Sequence, residues 1–247
     1  MREGPSRAIV SPRGAERIRR GHPWVMRDDV TEAPAPPDDV VQVVDRRGVL
    51  LGTAIYATTA PIALRMLSRA EVILDEALLE ERISAAFARR RALHDPLGWD
   101  AFRMVHGEAD LLPGLFIDRY ADAAVIQTGC AAMDARERTI ARLLRERFGF
   151  RLVVARDDGG ARDFEQLPRR KGVLEGEGGT HVAFHDAGSA VEADLLVDGK
   201  TGSFLDQQEN HACAADYARR LYSGGTALDA FCYHGGFALA LARAGLS

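Results

Sequence analysis

The sequence predicts a multidomain chain of mixed α/β and α+β class: a small β-barrel-like domain, a central α+β domain, and the opening of a domain built from βα units. Three observations predict it. Apolar β-branched runs crowd the first 70 residues, helical period and strand runs alternate through the middle, and a strand–turn–helix pattern with paired glycines closes the chain. At 247 residues with 47% hydrophobic content, the chain can bury more than one core.

In the first part, residues 40–45 (VVQVVD) and 49–57 (VLLGTAIYA) read as strands separated by Arg46-Arg47-Gly48, and 63–68 (ALRMLS) as another. The proline-rich stretch 32–39 reads as a loop, because proline cannot join the interior of a ladder. Residues 75–94 turn helical: Asp75 is placed to cap, and Leu79, Ile83 and Phe87 share one face. His94-Asp95-Pro96 ends that helix.

Residues 101–190 read as an α+β unit. The runs FRMVHG and GLFIDRY flank a turn at Leu112-Pro113-Gly114, and 123–129 is a strand. Asp134 with Glu137 forms a capping-box pattern ahead of the stripe Ile140, Leu143, Leu144 and Phe148, which Gly149 closes. Residues 152–156 read as a strand and the Gly-rich 175–179 as a loop. HVAF and 190–200 continue in β character, with Asp198-Gly199 as a hairpin turn. Asp206 with Glu209 reads as a second capping box, opening a helix to about Tyr222 that Ser223-Gly224-Gly225 ends. Residues 226–231 (TALDAF) then read as a buried strand and 237–245 as a helix.

Composition narrows the function. No stretch approaches the roughly 18–20 apolar residues that span a bilayer, and MREGPSRAIV holds no apolar run followed by a small-residue cleavage site, so secretion is not expected. Cys130, Cys213 and Cys232 are odd in number and scattered, against both a disulfide framework and a metal site. A reduced, cytoplasmic protein is expected. The net charge of −4 does not mark a nucleic-acid binder, yet residues 1–27 hold seven arginines against Glu3 and Glu16. Such a local basic face can meet phosphates. Lysine occurs only at Lys171 and Lys200 and asparagine only at Asn210, which draws attention to 200–210.

The strand–turn–helix ALDAFCYHGGFALALARAG is how an α/β sheet presents a nucleotide-like ligand: glycines let the backbone approach, and the helix N-terminus favours an anion. It is neither a GxGxxG fingerprint nor a phosphate loop, since no lysine follows the glycines. DAFCYHGGF resembles the cofactor motif of S-adenosylmethionine methyltransferases. DGKTGSFLDQQENHA is similar to the signature of one such family, the ribosomal RNA large-subunit methyltransferases that make 5-methylcytosine, whose usual form is KTGFFLDQRENR. SPRGAERIRRGHPWVMRDDV resembles their N-terminal PUA domain, and GEADLLPGLFIDRY the start of their central domain. The four blocks stand in family order across residues 11–245.

The resemblance implies a PUA-like RNA-binding domain (1–71), a helical linker (72–98), a central α+β domain (99–194) and the first part of a Rossmann-like methyltransferase domain (195–247). It implies S-adenosyl-L-methionine as cofactor, ribosomal RNA as partner, no membrane, no metal, and a homodimer. Phe204, Asp206, Gln208 and Asn210 would lie against the cofactor or hold its loop, and Asp229, Phe231, Tyr233, Gly235 and Gly236 would line its methionine side. Lys200 and Thr201 fall at the domain junction near the pocket. Arg13, Arg17, Arg19, Arg20, His22 and Trp24 are the expected RNA contacts.

Plainer roles stand beside these. Asp206 also reads as an N-cap, Phe204 and Phe231 as core residues, Cys232 as a small buried hydrophobe, His234 as a loop substitution and Trp24 as a packing anchor. The sequence departs from the family where Gln208 and His211 replace arginines and His234 replaces threonine, which removes two guanidinium contacts to a carboxylate or phosphate. Methylating cytosine C5 calls for a thiolate that adds to C6. That cysteine is expected beyond Ser247, and with one strand and one helix of its last domain the chain is expected to be a truncated, inactive part of the enzyme. Two alternatives remain: a methyltransferase of another substrate, and a non-catalytic RNA-binding protein.

Overall fold

The computed structural model describes residues 6–33 and 39–247. Arg2 and Glu3, and residues 34–38 of the expected loop, lie outside the described residues.

The first domain is one six-stranded sheet carrying a short helix. Strand β1 (Arg7–Val10) leads into α1 (Pro12–Arg19), then β2 (Trp24–Met26), β3 (Val30–Glu32), β4 (Val40–Val44), β5 (Leu50–Tyr56) and β6 (Ile62–Ser68). The strand order is β2-β6-β5-β4-β1-β3, and all ladders are antiparallel except β1 with β4. Among the described residues no ladder joins β2 to β3, so hydrogen bonding leaves the expected barrel open. Helix α1 starts where Ser11 accepts the Gly14 N–H at 3.0 Å and Pro12 takes the first turn. It buries Ala15 and Ile18 against Val10, Val41 and Leu64.

Helix α2 (Glu76–His94) is capped by Asp75, whose carboxylate accepts the Leu78 N–H at 2.9 Å. Its Leu79, Ile83 and Ala86 enter a core shared with Ile55 and Leu67 of the first sheet and with the central strands. Those strands are β7 (Ala101–His106), β8 (Leu115–Tyr120) and β9 (Ala123–Thr128). After α3 (Ala131–Asp134) and α4 (Glu137–Glu146) come β10 (Leu152–Asp157) and β11 (Arg170–Gly176), in the order β11-β10-β9-β8-β7. Alternation gives the sheet two apolar faces. Ala124 and Ile126 of β9 face α2 and α4, while Ala123 and Val125 face a hairpin of β12 (His181–Asp186) and β13 (Ser189–Asp194) that brings Val182, Phe184 and Ala193.

The last elements are α5 (Gln208–Leu221) and α6 (Gly236–Arg243), which pack on each other.

Four expectations are corrected. Asp134 and Glu137 do not cap α4, whose first turn follows Arg136 without a side-chain cap. Both acids instead meet arginines: Asp134 accepts from Arg162 at 2.6 Å and Arg170 at 2.7 Å, and Glu137 from Arg170 at 2.8 Å. Burial, with a hydrogen bond to Asp157, pushes the Glu137 carboxyl up to about 7 against the pull of Arg170. Asp198-Gly199 does not turn a hairpin. Asp194 accepts the Leu196 and Val197 N–H groups, and buried Arg156 binds the Leu195 and Asp198 carbonyls, so this stretch coils. Asp206 does not cap α5 either, since its carboxylate takes the Lys200 ammonium at 3.2 Å. Residues 226–231 form no strand: among the described residues no ladder lies beside them, and Leu228 is 90% exposed.

Candidate functional site

The junction segment 200–204 is seated on the central sheet. Lys200 adopts a left-handed φ of 53°. The next residue, Thr201, is buried and donates to Asp118 at 2.8 Å, and its hydroxyl lies 3.0 Å from that of Tyr120. The Ser203 N–H donates to the same Tyr120 hydroxyl at 2.9 Å, and Arg103 holds Asp118 through two hydrogen bonds. Buried beside Asp118, Tyr120 is driven well above the ordinary phenol range. This anchoring fixes where Phe204 emerges. Its ring meets Tyr233 edge-on at 5.0 Å, and the Lys200 ammonium lies 4.1 Å from its centroid.

The turn ahead of α6 supplies the facing wall. Phe231, Tyr233 and Gly235 have φ of 61°, 49° and 74°, so alternate residues sit in the left-handed region and coil the backbone tightly. For the two aromatics this costs about 1–2 kcal/mol each. Asp229 reaches forward nine residues to accept the Ala238 N–H at 3.0 Å, capping the third position of α6 from outside the helix. The Tyr233 hydroxyl accepts the Gly199 N–H at 2.9 Å. Together these segments enclose a cleft of about 300 Å³.

The sequence-predicted cofactor residues divide. Phe204, Asp229, Phe231, Tyr233 and Gly236 line this cleft; Gly235 does not line it but precedes Gly236 as the N-cap residue of α6. Asp206 and Gln208 point instead into a second cleft against β7, where Gln208 donates to the Ala101 carbonyl at 2.7 Å. Asn210 is exposed and donates to Gln207. Two plainer readings are corrected: Phe231 is fully exposed rather than core, and Cys232 is exposed rather than buried. Cys130 is the sealed thiol, pushed up to about 12 by burial.

His211 and Asp186 are site residues that the sequence did not reveal as a pair. Buried His211 donates Nδ1–H to the Asp186 carboxylate at 2.9 Å, stands edge-on to Phe237 at 4.5 Å, and lines the cleft. The pair joins α5 to β12 across 25 positions, and no local pattern marks such a contact.

The expected RNA contacts cluster on α1 and the turn after it. Arg13 pairs with Asp29, Arg19 with Asp45 and Arg20 with Glu16. Burial alone would raise Asp29, but hydrogen bonds from Arg13 and Ser11 outweigh it and hold the carboxyl below its ordinary value. Among the described residues Arg17 makes no ion pair; its hydrogen-bond partner is the His22 ring at 2.9 Å, and its charge helps lower the Asp29 carboxyl. Trp24 donates its indole N–H to Glu108 at 2.7 Å, and Arg65 donates to the same oxygen at 3.1 Å. It therefore anchors the first domain to the central one.

No helix is long and apolar enough to cross a membrane among the described residues, and no group of acids, histidines and cysteines there could hold a metal.

Residues 8–69 match the model of a PUA-like domain. The chain is 36% identical to a ribosomal RNA large subunit methyltransferase of Deinococcus radiodurans over 98% of its own length and 60% of the relative's. It is 33% identical to ribosomal RNA large subunit methyltransferase I of Shewanella amazonensis, over 97% of its own length and 60% of that protein's. A solved structure of a candidate SAM-dependent methyltransferase from Streptococcus mutans superposes with a TM-score of 0.76 at 19% identity, covering 98% of this chain and 61% of that one. A second, a candidate methyltransferase complexed with SAH, gives 0.75 at 18% identity, over 98% and 60%. The chain thus carries a PUA-like domain on a fold shared with solved methyltransferases, and spans about 60% of the length of the ribosomal RNA large subunit methyltransferases to which it is related.

Proposed function

We propose that the chain comprises the PUA-like (1–71), linking (72–98), central (99–194) and leading methyltransferase (195–247) parts of a cytoplasmic, homodimeric S-adenosylmethionine-dependent methyltransferase. Its substrate is large-subunit ribosomal RNA, and cytosine C5 is the atom methylated. The observation that carries this reading is the cleft where Phe204, Asp229, Phe231, Tyr233 and Gly236 converge from two separate motifs.

The residues suit the ligand. S-adenosylmethionine has a flat adenine, a sulfonium and an α-ammonium. Three aromatic side chains offer faces for the ring and the sulfonium, and Asp229 offers a carboxylate to the ammonium. When bound, the cofactor supplies an electrophilic methyl group. The chain's own part is to hold it: the Thr201–Asp118–Tyr120 hydrogen bonds fix one wall, and the coiled turn 231–235 fixes the other. Cys130, sealed in the core, cannot act as the attacking thiolate.

Calorimetry of S-adenosylmethionine against the protein tests the reading. Saturable heat that Phe204→Ala diminishes supports it. No heat, together with retained binding of ribosomal RNA fragments, would favour the non-catalytic RNA-binding alternative.

A further inference from the structure

A second cleft lies between the C-terminal end of α2, strand β7 and the segment 200–209, with a volume of about 580 Å³. One wall is a ladder of flat rings. His94 stacks on Trp99 at 5.4 Å and on Phe102 at 4.7 Å, with interplanar angles of 16° and 23°. Phe102 is buried at the base, and Trp99 is half-buried.

Two polar atoms of the lining are buried without a hydrogen-bond partner: Nδ1 of His94 and Oε1 of Gln208. Gln208 is 1% exposed, and its amide orientation is fixed because Nε2 donates to the Ala101 carbonyl. Its oxygen is therefore an acceptor with nothing to accept. Leaving such an atom unmet costs about 1–3 kcal/mol. Burial also pulls the His94 imidazole below its ordinary range, which favours the uncharged ring.

Charge points away from an anion. Arg90, Arg103 and Lys200 line the cleft, but each already meets a carboxylate, of Asp110, Asp118 and Asp206. Glu209 adds a further acid. Each lining cation is thus already engaged by an acid, Asp110 being shared by Arg89 and Arg90, which leaves a phosphate little to bind. What matches the lining is a flat ring to stack and an N–H to donate.

We infer that this cleft takes the base of one unpaired RNA nucleotide, stacked against Trp99, giving an N–H to the Gln208 oxygen and turning its phosphates to solvent. Stacking of this kind tolerates any base, and the donated N–H suits an exocyclic amine or a ring imide. The inference rests on the proposed RNA substrate only for the source of the nucleotide.

The test uses Trp99 as its own reporter. Trp24→Phe leaves it the only tryptophan. Short single-stranded RNA should quench its fluorescence saturably, cytidine monophosphate more weakly, and a duplex of the same sequence not at all. Gln208→Met keeps the side-chain length, removes the acceptor together with the donor to the Ala101 carbonyl, and should weaken single-strand binding about tenfold. Trp99→Leu, read by anisotropy of a labelled strand, should cost about tenfold as well. Melting temperatures establish that both variants fold. Absence of quenching, equal quenching by duplex, or unchanged affinity in both variants would overturn the inference. Cytidine monophosphate binding as tightly as the strand would overturn RNA as the source. S-adenosylmethionine calorimetry reads the other cleft, so failure there and failure here are distinguishable.

Discussion

Gly236 and His211 leave no room between them: a Cβ on Gly236 would stand 2.7 Å from Nε2 and 2.8 Å from Nδ1 of the imidazole. The glycine that the sequence offers as a ligand-approach position is already required by the packing of α6 on α5. Gly236→Ala gains helix propensity, about 1 kcal/mol, and loses more to the clash. A net destabilisation of about 1–3 kcal/mol by chemical denaturation is expected. In a His211→Ala background the same change should cost much less, because the two effects are coupled. Additive costs would show that the ring is not the obstacle.

Asp229 should matter twice, for α6 and for the cofactor. Asp229→Ala is expected to lose about 2–4 kcal/mol of S-adenosylmethionine affinity, as a charged pair in a partly buried site is broken. Asp229→Asn keeps an acceptor for the Ala238 N–H and so separates the cap from the charge. Asp206→Asn removes only an exposed pair with Lys200 and should cost less than about 1 kcal/mol. Equal, negligible losses in calorimetry would remove the cofactor from this cleft.

For RNA, the pairing on α1 refines what the arginine count suggests. Arg19 and Arg20 are held by Asp45 and Glu16, whereas Arg17, among the described residues, hydrogen-bonds an imidazole and forms no ion pair. Converting Arg17, Arg19 and Arg20 to alanine should lower the slope of log affinity against log salt by about one rather than about three. Arg17→Ala alone should reproduce most of it. An unchanged slope would leave α1 as a solvated surface.

Glu137 sets a pH dependence with a definite sign. Its folded value of about 7 lies above the ordinary glutamate value of 4.5, so the folded state binds the extra proton. Stability from this group is full below the lower value and falls as pH rises through the upper one. His94, whose value is lowered, acts oppositely as pH falls through its unfolded range. Comparison with Glu137→Gln isolates the acid: between about pH 5 and 7 the variant's melting temperature should rise relative to the parent. A constant difference would refute the assignment.

The cysteines should separate by reactivity. Exposed Cys213 and Cys232 are expected to take a maleimide in the native state, and Cys130 only on unfolding. Mass spectrometry of the labelled chain reads this directly.

Local signals were legible in the sequence. Helix α2 announces itself through Asp75 and the Leu79–Ile83 spacing, and the junction segment through its lone lysine and asparagine. Helix α1 went unread although Ser11-Pro12 is a start signal, because its arginines outnumber the two apolar residues it buries. Strand β11 hid behind Lys171, Gly172 and Gly176; it pairs only with β10, and an edge strand needs no apolar alternation. Asp134 and Asp206 show why capping boxes mislead. The pattern specifies an acceptor near a helix start, and here a distant arginine or a nearby lysine offers that carboxylate a full charge instead. The Thr201–Asp118 and His211–Asp186 contacts span 83 and 25 positions, and nothing local encodes them.

Glu108 receives Trp24 and Arg65 on one carboxylate oxygen, while Thr59 donates across to the Phe164 carbonyl. Two pins alone would leave one axis of rotation, but Ile55 and Leu67 of the first sheet are also buried in the core of α2 and the central strands, which blocks it. The PUA-like domain and the central sheet therefore act as the fixed jaws of a caliper, whose opening is set before any ligand arrives. A ligand engaging both jaws is selected by its span, and one that is too short or too long must itself bend.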